Sequence, residues 1–180
     1  MNVFSTENPF AFLVDILSHL LVLLFLLRLL FQLVQADIRN PISLTVLKFS
    51  NPVLLPLRRM IPSFGRLDTA SLVAMTLTQL LGLFLIAAVN GVMLNPLSLI
   101  LPALLLLVQA VLQLYFITVL VEALLSWVNP NPYSPAVNIL YSLNAPLLNP
   151  VRKRLPETGG IDFSAMIVLI ALLFLMRVFG

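Results

Sequence analysis

The sequence predicts an all-α integral membrane protein. It reads as four transmembrane helices built from two parallel two-helix repeats, each carrying a proline-rich, partly helical hairpin at the cytoplasmic interface. Three observations predict this. The 180 residues are 61% hydrophobic and 9% charged, with a mean hydropathy of +1.08, whereas soluble domains carry roughly 25% charged residues. The apolar residues are gathered into long runs, and the chain has room for about four spans of ~20 residues. One punctuated motif also occurs twice: Pro52, Pro56, Arg58, Pro62, Gly65 and Asp68 are matched, each 94 positions later, by Pro146, Pro150, Arg152, Pro156, Gly159 and Asp162. A single offset over six positions reads as an internal duplication. The first repeat covers residues 1–94 and the second 95–180.

In chain order, the first apolar run, about 10–34, is long enough to cross a bilayer with some tilt. No basic segment precedes it, so it reads as a retained span rather than a cleaved signal. Residues 36–66 are too polar and too rich in proline to span. Within them, Pro41 to Ser50 sets Ile42, Val46 and Phe49 at helical spacing with Lys48 elsewhere, the pattern of a short interfacial helix. Pro52, Pro56 and Pro62 are then expected to interrupt any continuous helix, because each removes a backbone donor and crowds the preceding turn. A second span over about 68–92 opens on Asp68, whose carboxylate suits the free N–H groups of a first turn. Asn95-Pro96 marks a turn. A third span covers about 97–128, a second hairpin 129–160, and a fourth span about 161–179, opened by Asp162.

Charge sets the expected orientation. Arg39, Lys48, Arg58, Arg59 and Arg66 lie in the first hairpin and Arg152, Lys153 and Arg154 in the second, while the segment before the first span and the turn at 91–96 hold no Lys or Arg. The positive-inside rule therefore puts both hairpins in the cytoplasm and both termini in the periplasm. Two spans per repeat give both repeats the same orientation, so the pseudo-twofold axis runs along the membrane normal.

The offset also aligns polar residues inside the spans: Asp15 with Gln109, His19 with Gln113, and Arg28 with Glu122. Equivalent positions in parallel repeats share a depth, and an unpaired charge there is costly. Arg28 and Glu122 are accordingly expected to form an intramembrane ion pair. Asp15 and His19, four apart, share a helix face, whereas Arg28 falls roughly opposite His19. Arg58, Arg59, Arg152, Lys153 and Arg154 suit topology control, anionic headgroups or a protein partner. The shared spacing from Arg58 to Asp68 and from Arg152 to Asp162 further suits a tie in which each aspartate caps its helix and holds a hairpin arginine. Pro52, Pro56, Pro62 and Gly65, with Pro146, Pro150, Pro156 and Gly159, would shape the hairpins.

Chemistry is sparse. With no cysteine and one histidine, thiolate sites, disulfides and multi-histidine metal centres are excluded. No glycine-rich phosphate loop, nucleophile elbow or HExxH occurs, and nothing resembles a nucleic-acid surface. No enzyme activity, cofactor or metal is expected.

The pattern Asn-Pro followed by Pro-x-x-x-Pro-x-Arg-Arg-x-x-Pro-x-x-Gly-x-x-Asp resembles the YggT family of small bacterial membrane proteins, in its duplicated proteobacterial form. The matching residues are Asn40, Pro41, Pro52, Pro56, Arg58, Arg59, Pro62, Gly65, Asp68 and Ser71, then Ser134, Pro135, Pro146, Pro150, Arg152, Lys153, Pro156, Gly159, Asp162 and Ser164. The resemblance implies a bacterial inner-membrane location and links to osmotic-shock tolerance, division and nucleoid distribution, with plastid relatives linked to haem attachment. The leading expectation is a non-enzymatic membrane scaffold or assembly factor whose basic hairpins engage anionic lipid headgroups, a membrane-protein partner or a second copy. The alternatives are a small ion or osmolyte channel or transporter using Arg28 and Glu122, and a haem-handling factor resting on His19.

Overall fold

Six α-helices, and no named strand, account for the regular structure of the described residues in the computed structural model, which describes 6–92, 95–128, 134–154 and 163–179. They are α1 (Pro9–Leu33), α2 (Pro41–Met60), α3 (Thr69–Val89), α4 (Ile100–Val128), α5 (Pro135–Arg152) and α6 (Phe163–Phe179), with a single 3-10 turn at Pro96–Leu99 leading into α4. Pro9–Leu33, Thr69–Val89 and Pro96–Ser126 are long and apolar enough to cross a membrane, and α6 is a shorter apolar helix.

Local chemistry sets the ends of these helices. Asn8 Oδ1 accepts the Phe10 N–H at 3.0 Å, with Pro9 supplying the preset φ of a first helical residue. Past the end of α1, Gln35 takes a left-handed φ of 54°, so that the Ala36 N–H reaches the Phe31 carbonyl at 2.9 Å. Gly91, at φ 73°, closes α3 in the same way, with Val92 N–H donating to Ala87 at 2.9 Å. Both are Schellman closures, in which the left-handed residue lets two N–H groups satisfy orphan carbonyls. Asn40 and Ser134 stand 94 apart and cap α2 and α5, accepting from Ile42 N–H at 3.0 Å and Val137 N–H at 3.3 Å, and each is followed by proline.

Two sequence expectations need correcting. Pro52 and Pro56 do not interrupt α2, nor do Pro146 and Pro150 interrupt α5; both helices run through their prolines. In each helix the two prolines are four apart and exposed. The lost bonds therefore fall on one outward stripe, where the freed carbonyls of Lys48 and Pro52, and of Ser142 and Pro146, stay open to solvation. Each helix continues through its prolines instead of breaking. The short helix expected over Pro41 to Ser50 is thus twenty residues long. Of its three expected apolar positions, Val46 is buried against protein while Ile42 and Phe49 face outward.

The chain divides into two compact units, Met1–Leu29 with Val46–Val108, and Leu30–Thr45 with Gln109–Gly180, the divisions falling inside α1, α2 and α4. In the first, α1 and α3 approach closely at Gly82, where an added Cβ would lie 2.8 Å from Ser18 Cβ. Small residues let backbones approach in this way within a membrane. Leu83 of α3 also packs with Leu99 and Ala103. In the second unit Val119 of α4, Leu148 of α5 and Ala165, Val168 and Leu172 of α6 form the core, flanked by Leu112, Tyr115 and Phe116. The large apolar side chains of α1, α4 and α6, such as Phe10, Leu101, Ile170 and Phe174, are heavily exposed. Apolar surface on this scale belongs in lipid rather than water.

Candidate functional site

Each unit places one buried carboxylate where an arginine from its proline-containing helix can reach it. In the first unit the carboxylate is Asp68, fully buried at the N-terminus of α3. Its Oδ1 accepts the Ser71 N–H at 3.4 Å and its Oδ2 accepts the Ser71 hydroxyl at 2.7 Å. The same Oδ2 takes a charge-assisted hydrogen bond from Arg58 Nη2, at the end of α2. Arg28, projecting from α1 with its side chain 8% exposed, brings Nε to 3.9 Å of Oδ2. Asp68 therefore caps one helix while holding arginines from two others.

Burial alone would raise the Asp68 pKa. The hydrogen bonds from Arg58 and then Ser71, with the charge of Arg58, more than offset it, and the carboxyl is held below its ordinary value. Two guanidiniums serve one carboxylate here, and Arg28 Nη1 is buried with no hydrogen-bond partner among the described residues.

The loop between these groups is itself shaped to deliver them. Gly65 adopts φ 58° and Arg66 does not share its positive φ, so Phe64 to Leu67 makes a tight reversal closed by Leu67 N–H to the Phe64 carbonyl at 3.0 Å. A positive φ at the first central position is the requirement of a type II′ turn, and glycine meets it without steric cost. Thr69 Oγ1 donates to the Pro62 carbonyl at 2.8 Å, tying the start of α3 to the end of the preceding turn.

In the second unit the carboxylate comes from a span. Glu122 of α4, its side chain 3% exposed, accepts Arg152 Nη2 at 3.0 Å and Asn144 Nδ2 at 2.8 Å, both from α5. Asn144 Oδ1 in turn accepts the Thr118 hydroxyl at 2.8 Å, so every member of the relay is paired. Thr118 lies one turn before Glu122, on the same face of α4. The hairpin arginine is thus common to both units, Arg58 and Arg152 being 94 apart, while the carboxylate is drawn from different elements.

The expected Arg28–Glu122 pair would join the two units. Within them, Arg28 has Asp68 and Glu122 has Arg152 and Asn144. Arg59, Lys153 and Arg154 are exposed beside the two held arginines. Asp15 and His19 meet each other at 3.2 Å along one face of α1, and Gln109 Nε2 donates to the Phe179 carbonyl at 2.7 Å, while Gln113 is exposed. Pro156, Gly159 and Asp162, the expected turn and cap of the second hairpin, lie outside the described residues. Ser164 is buried but stands one position short of the offset from Ser71. Sequence reasoning missed Asn144 and Thr118. The available signals were an Asn four residues beyond Leu140 in a buried stripe, and a Thr spaced one turn from an intramembrane Glu. Among the described residues no three His, Asp or Glu side chains gather into a metal-sized group.

Helices throughout the described residues, three of them long and apolar enough to cross a membrane, mark a membrane protein. A family model described as CCB3/YggT matches residues 8–89 and again residues 101–180. The chain belongs to that family. It is 36% identical over 163 residues to an uncharacterized protein of Pseudomonas aeruginosa, covering 89% of this chain and 83% of the relative. It is 35% identical over 170 residues to the uncharacterized protein YggT of Escherichia coli K12, covering 92% and 86%. An uncharacterized protein of Vibrio alginolyticus is 34% identical over 170 residues, covering 93% and 91%. No solved structure matches the chain.

Proposed function

We propose that this protein is a non-enzymatic scaffold or assembly factor of the bacterial inner membrane, acting in osmotic-stress tolerance, that presents two rigid basic hairpins to lipid headgroups or a membrane-protein partner. One observation carries the reading: each proline-containing helix is held at its C-terminal end by an arginine on a buried carboxylate, Arg58 on Asp68 and Arg152 on Glu122. Each pair joins a buried carboxylate to a partly exposed guanidinium, and leaving that carboxylate unpaired is costly, so the pairs favour one hairpin geometry. Arg59, Lys153 and Arg154 are left outward for a ligand. Preorganised cations of this kind suit recognition of an acidic surface.

The proposal includes four spans in two parallel repeats, both hairpins in the cytoplasm and both termini in the periplasm. α6, at 17 residues, is ~26 Å long at the usual helical rise. It falls a few Å short of a ~30 Å hydrocarbon layer, a mismatch that slight local thinning and the snorkelling of Arg177 accommodate.

The test uses purified protein in proteoliposomes, following potassium and proton flux under an osmotic gradient, alongside photocrosslinking from Arg59 and Lys153 positions in cells. Scaffold activity predicts flux no greater than in empty liposomes, together with discrete crosslinked lipid or protein species. Flux that falls in Arg28→Ala or Glu122→Ala would replace the scaffold with a small channel or transporter. The charge cluster around the unsatisfied Arg28 Nη1 would then line the pathway.

A further inference from the structure

We propose that the two hairpins meet the membrane unequally: the outward face of α2, with the Phe64 turn, beds into anionic phospholipid, and the matching face of α5 does not. The inference rests on the reading above that the hairpins engage headgroups, and it names which one does so.

The outward side of α2 is apolar and cationic together. Leu44, Phe49, Val53, Leu55 and Met60 are exposed, Phe49 at 66% and Met60 at 81%, and Phe64 in the turn is 73% exposed. At ~100° per residue, Ile42, Phe49, Val53 and Met60 lie within an arc of roughly 40°, while Lys48 and Arg59 lie within about 20° of each other and roughly 100° away. Such a helix sinks one edge toward the acyl boundary and keeps its cations among phosphates. Charge supports the same occupant. Between Ile38 and Leu67 the chain holds Arg39, Lys48, Arg58, Arg59 and Arg66 and no acidic residue. Arg58 is committed to Asp68, and the other four are exposed.

The prolines fix the depth. The carbonyls of Lys48 and Pro52 have no helical donor, because the residues four positions on, Pro52 and Pro56, carry no N–H. Unsatisfied carbonyls are costly in hydrocarbon but are solvated among headgroups and water. The helix therefore lies at the interface and no deeper.

Position by position, α5 has lost this character. Leu44 is answered by Asn138, Leu55 by Asn149, Met60 by Arg154, Lys48 by Ser142 and Ile42 by Ala136. Phe49 is answered by Leu143, which is 2% exposed and belongs to the protein interior. What remains outward on α5 is Ala136, Asn138, Asn149, Arg152 and prolines, with Lys153 and Arg154 just beyond: cations stay at its end, but no large apolar side chain is exposed to bed into lipid.

The chain has no cysteine, so single-cysteine variants report cleanly. Bimane would be attached at Phe49→Cys, Met60→Cys, Ala136→Cys and Asn149→Cys in full-length protein, reconstituted in phosphatidylethanolamine–phosphatidylglycerol vesicles. Quenching by brominated acyl chains is compared with quenching by iodide present on both sides. The expected result is lipid quenching several-fold stronger at positions 49 and 60 than at 136 and 149, with iodide showing the reverse order. Replacing phosphatidylglycerol by phosphatidylcholine, or adding Lys48→Gln with Arg59→Gln, should reduce lipid quenching at position 49 by about half. Equal lipid quenching at all four positions would overturn the inequality while leaving the headgroup-engaging function intact. Lipid quenching at none would overturn both, and quenching indifferent to lipid charge would overturn the anionic preference.

Discussion

Asp68, fully buried, accepts hydrogen bonds from two atoms of one serine and from one arginine, and a second arginine approaches as an ion pair at 3.9 Å. Its role as a helix cap was legible because an Asp immediately before an apolar run, with Ser three residues on, has few other uses. That Asp68 would come near Arg28 was not legible. The offset pairs equivalent positions of two repeats, and equivalence says nothing about contact; Asp68 lies forty residues from Arg28 in sequence and reaches it only through the fold. Glu122 was singled out correctly as a buried charge, but its partners come from α5, where Asn144 aligns with the unremarkable Ser50. A residue held this way should be visible in stability. Because the folded Asp68 pKa lies below its unfolded value, its contribution is present in full above the unfolded pKa near 4 and is lost as pH falls through the folded value. Asp68→Asn should lower the stability of the detergent-solubilised protein by about 3–5 kcal/mol at pH 7, the cost of stranding a buried charge. Denaturant unfolding followed by circular dichroism checks both points: the gap between wild type and Asp68→Asn should be constant from pH 7 to 5 and should close below about pH 4.

At the scale of the element, the two proline-containing helices show where local rules need positional context. Proline forbids a helix when its lost bond is buried, and the sequence reading applied that rule to Pro52 and Pro56 as though burial were given. Their four-residue spacing puts both on one stripe, and the structure exposes that stripe, so the freed carbonyls can be solvated and the helix continues. The apolar spans were easier to read, since length and composition alone delimit them: α1 starts and stops within one residue of the expected 10–34. Their packing partners were not readable, because a helix that is apolar all round gives no inward face. Gly82 is the exception that the structure identifies. Valine there would drive its Cβ and methyls into Ser18, and overpacking of this kind costs typically 1–3 kcal/mol. Gly82→Val should accordingly lower the thermal midpoint in detergent, and Ser18→Gly in the same chain should recover most of the loss. No recovery would mean that α1 and α3 do not meet at this point.

For the whole molecule, the decisive quantity is the side of the membrane on which each connection lies, and the cations make it testable. Eight Lys and Arg residues fall in the two hairpins, whereas the segment before α1 and the turn between α3 and α4 have none. Translocating a hairpin with several cations opposes the bias that sets orientation, so the proposed topology keeps both hairpins in the cytoplasm. The two hairpins share a side if α3 and α4 both cross; whether α6 also crosses, carrying Arg177 to the far face, is a separate question that cysteine labelling answers. A chain without cysteine permits a direct measurement. Single cysteines at Glu7, Ser98, Arg59 and Lys153 would be challenged in intact cells with a membrane-impermeant maleimide. Positions 7 and 98 should label before lysis, and positions 59 and 153 only after it. A cysteine at Val178 decides the short helix: labelling before lysis puts its end in the periplasm and makes four spans. Protection there until lysis would leave α6 on the cytoplasmic side, where its apolar faces would need a partner protein rather than lipid to cover them.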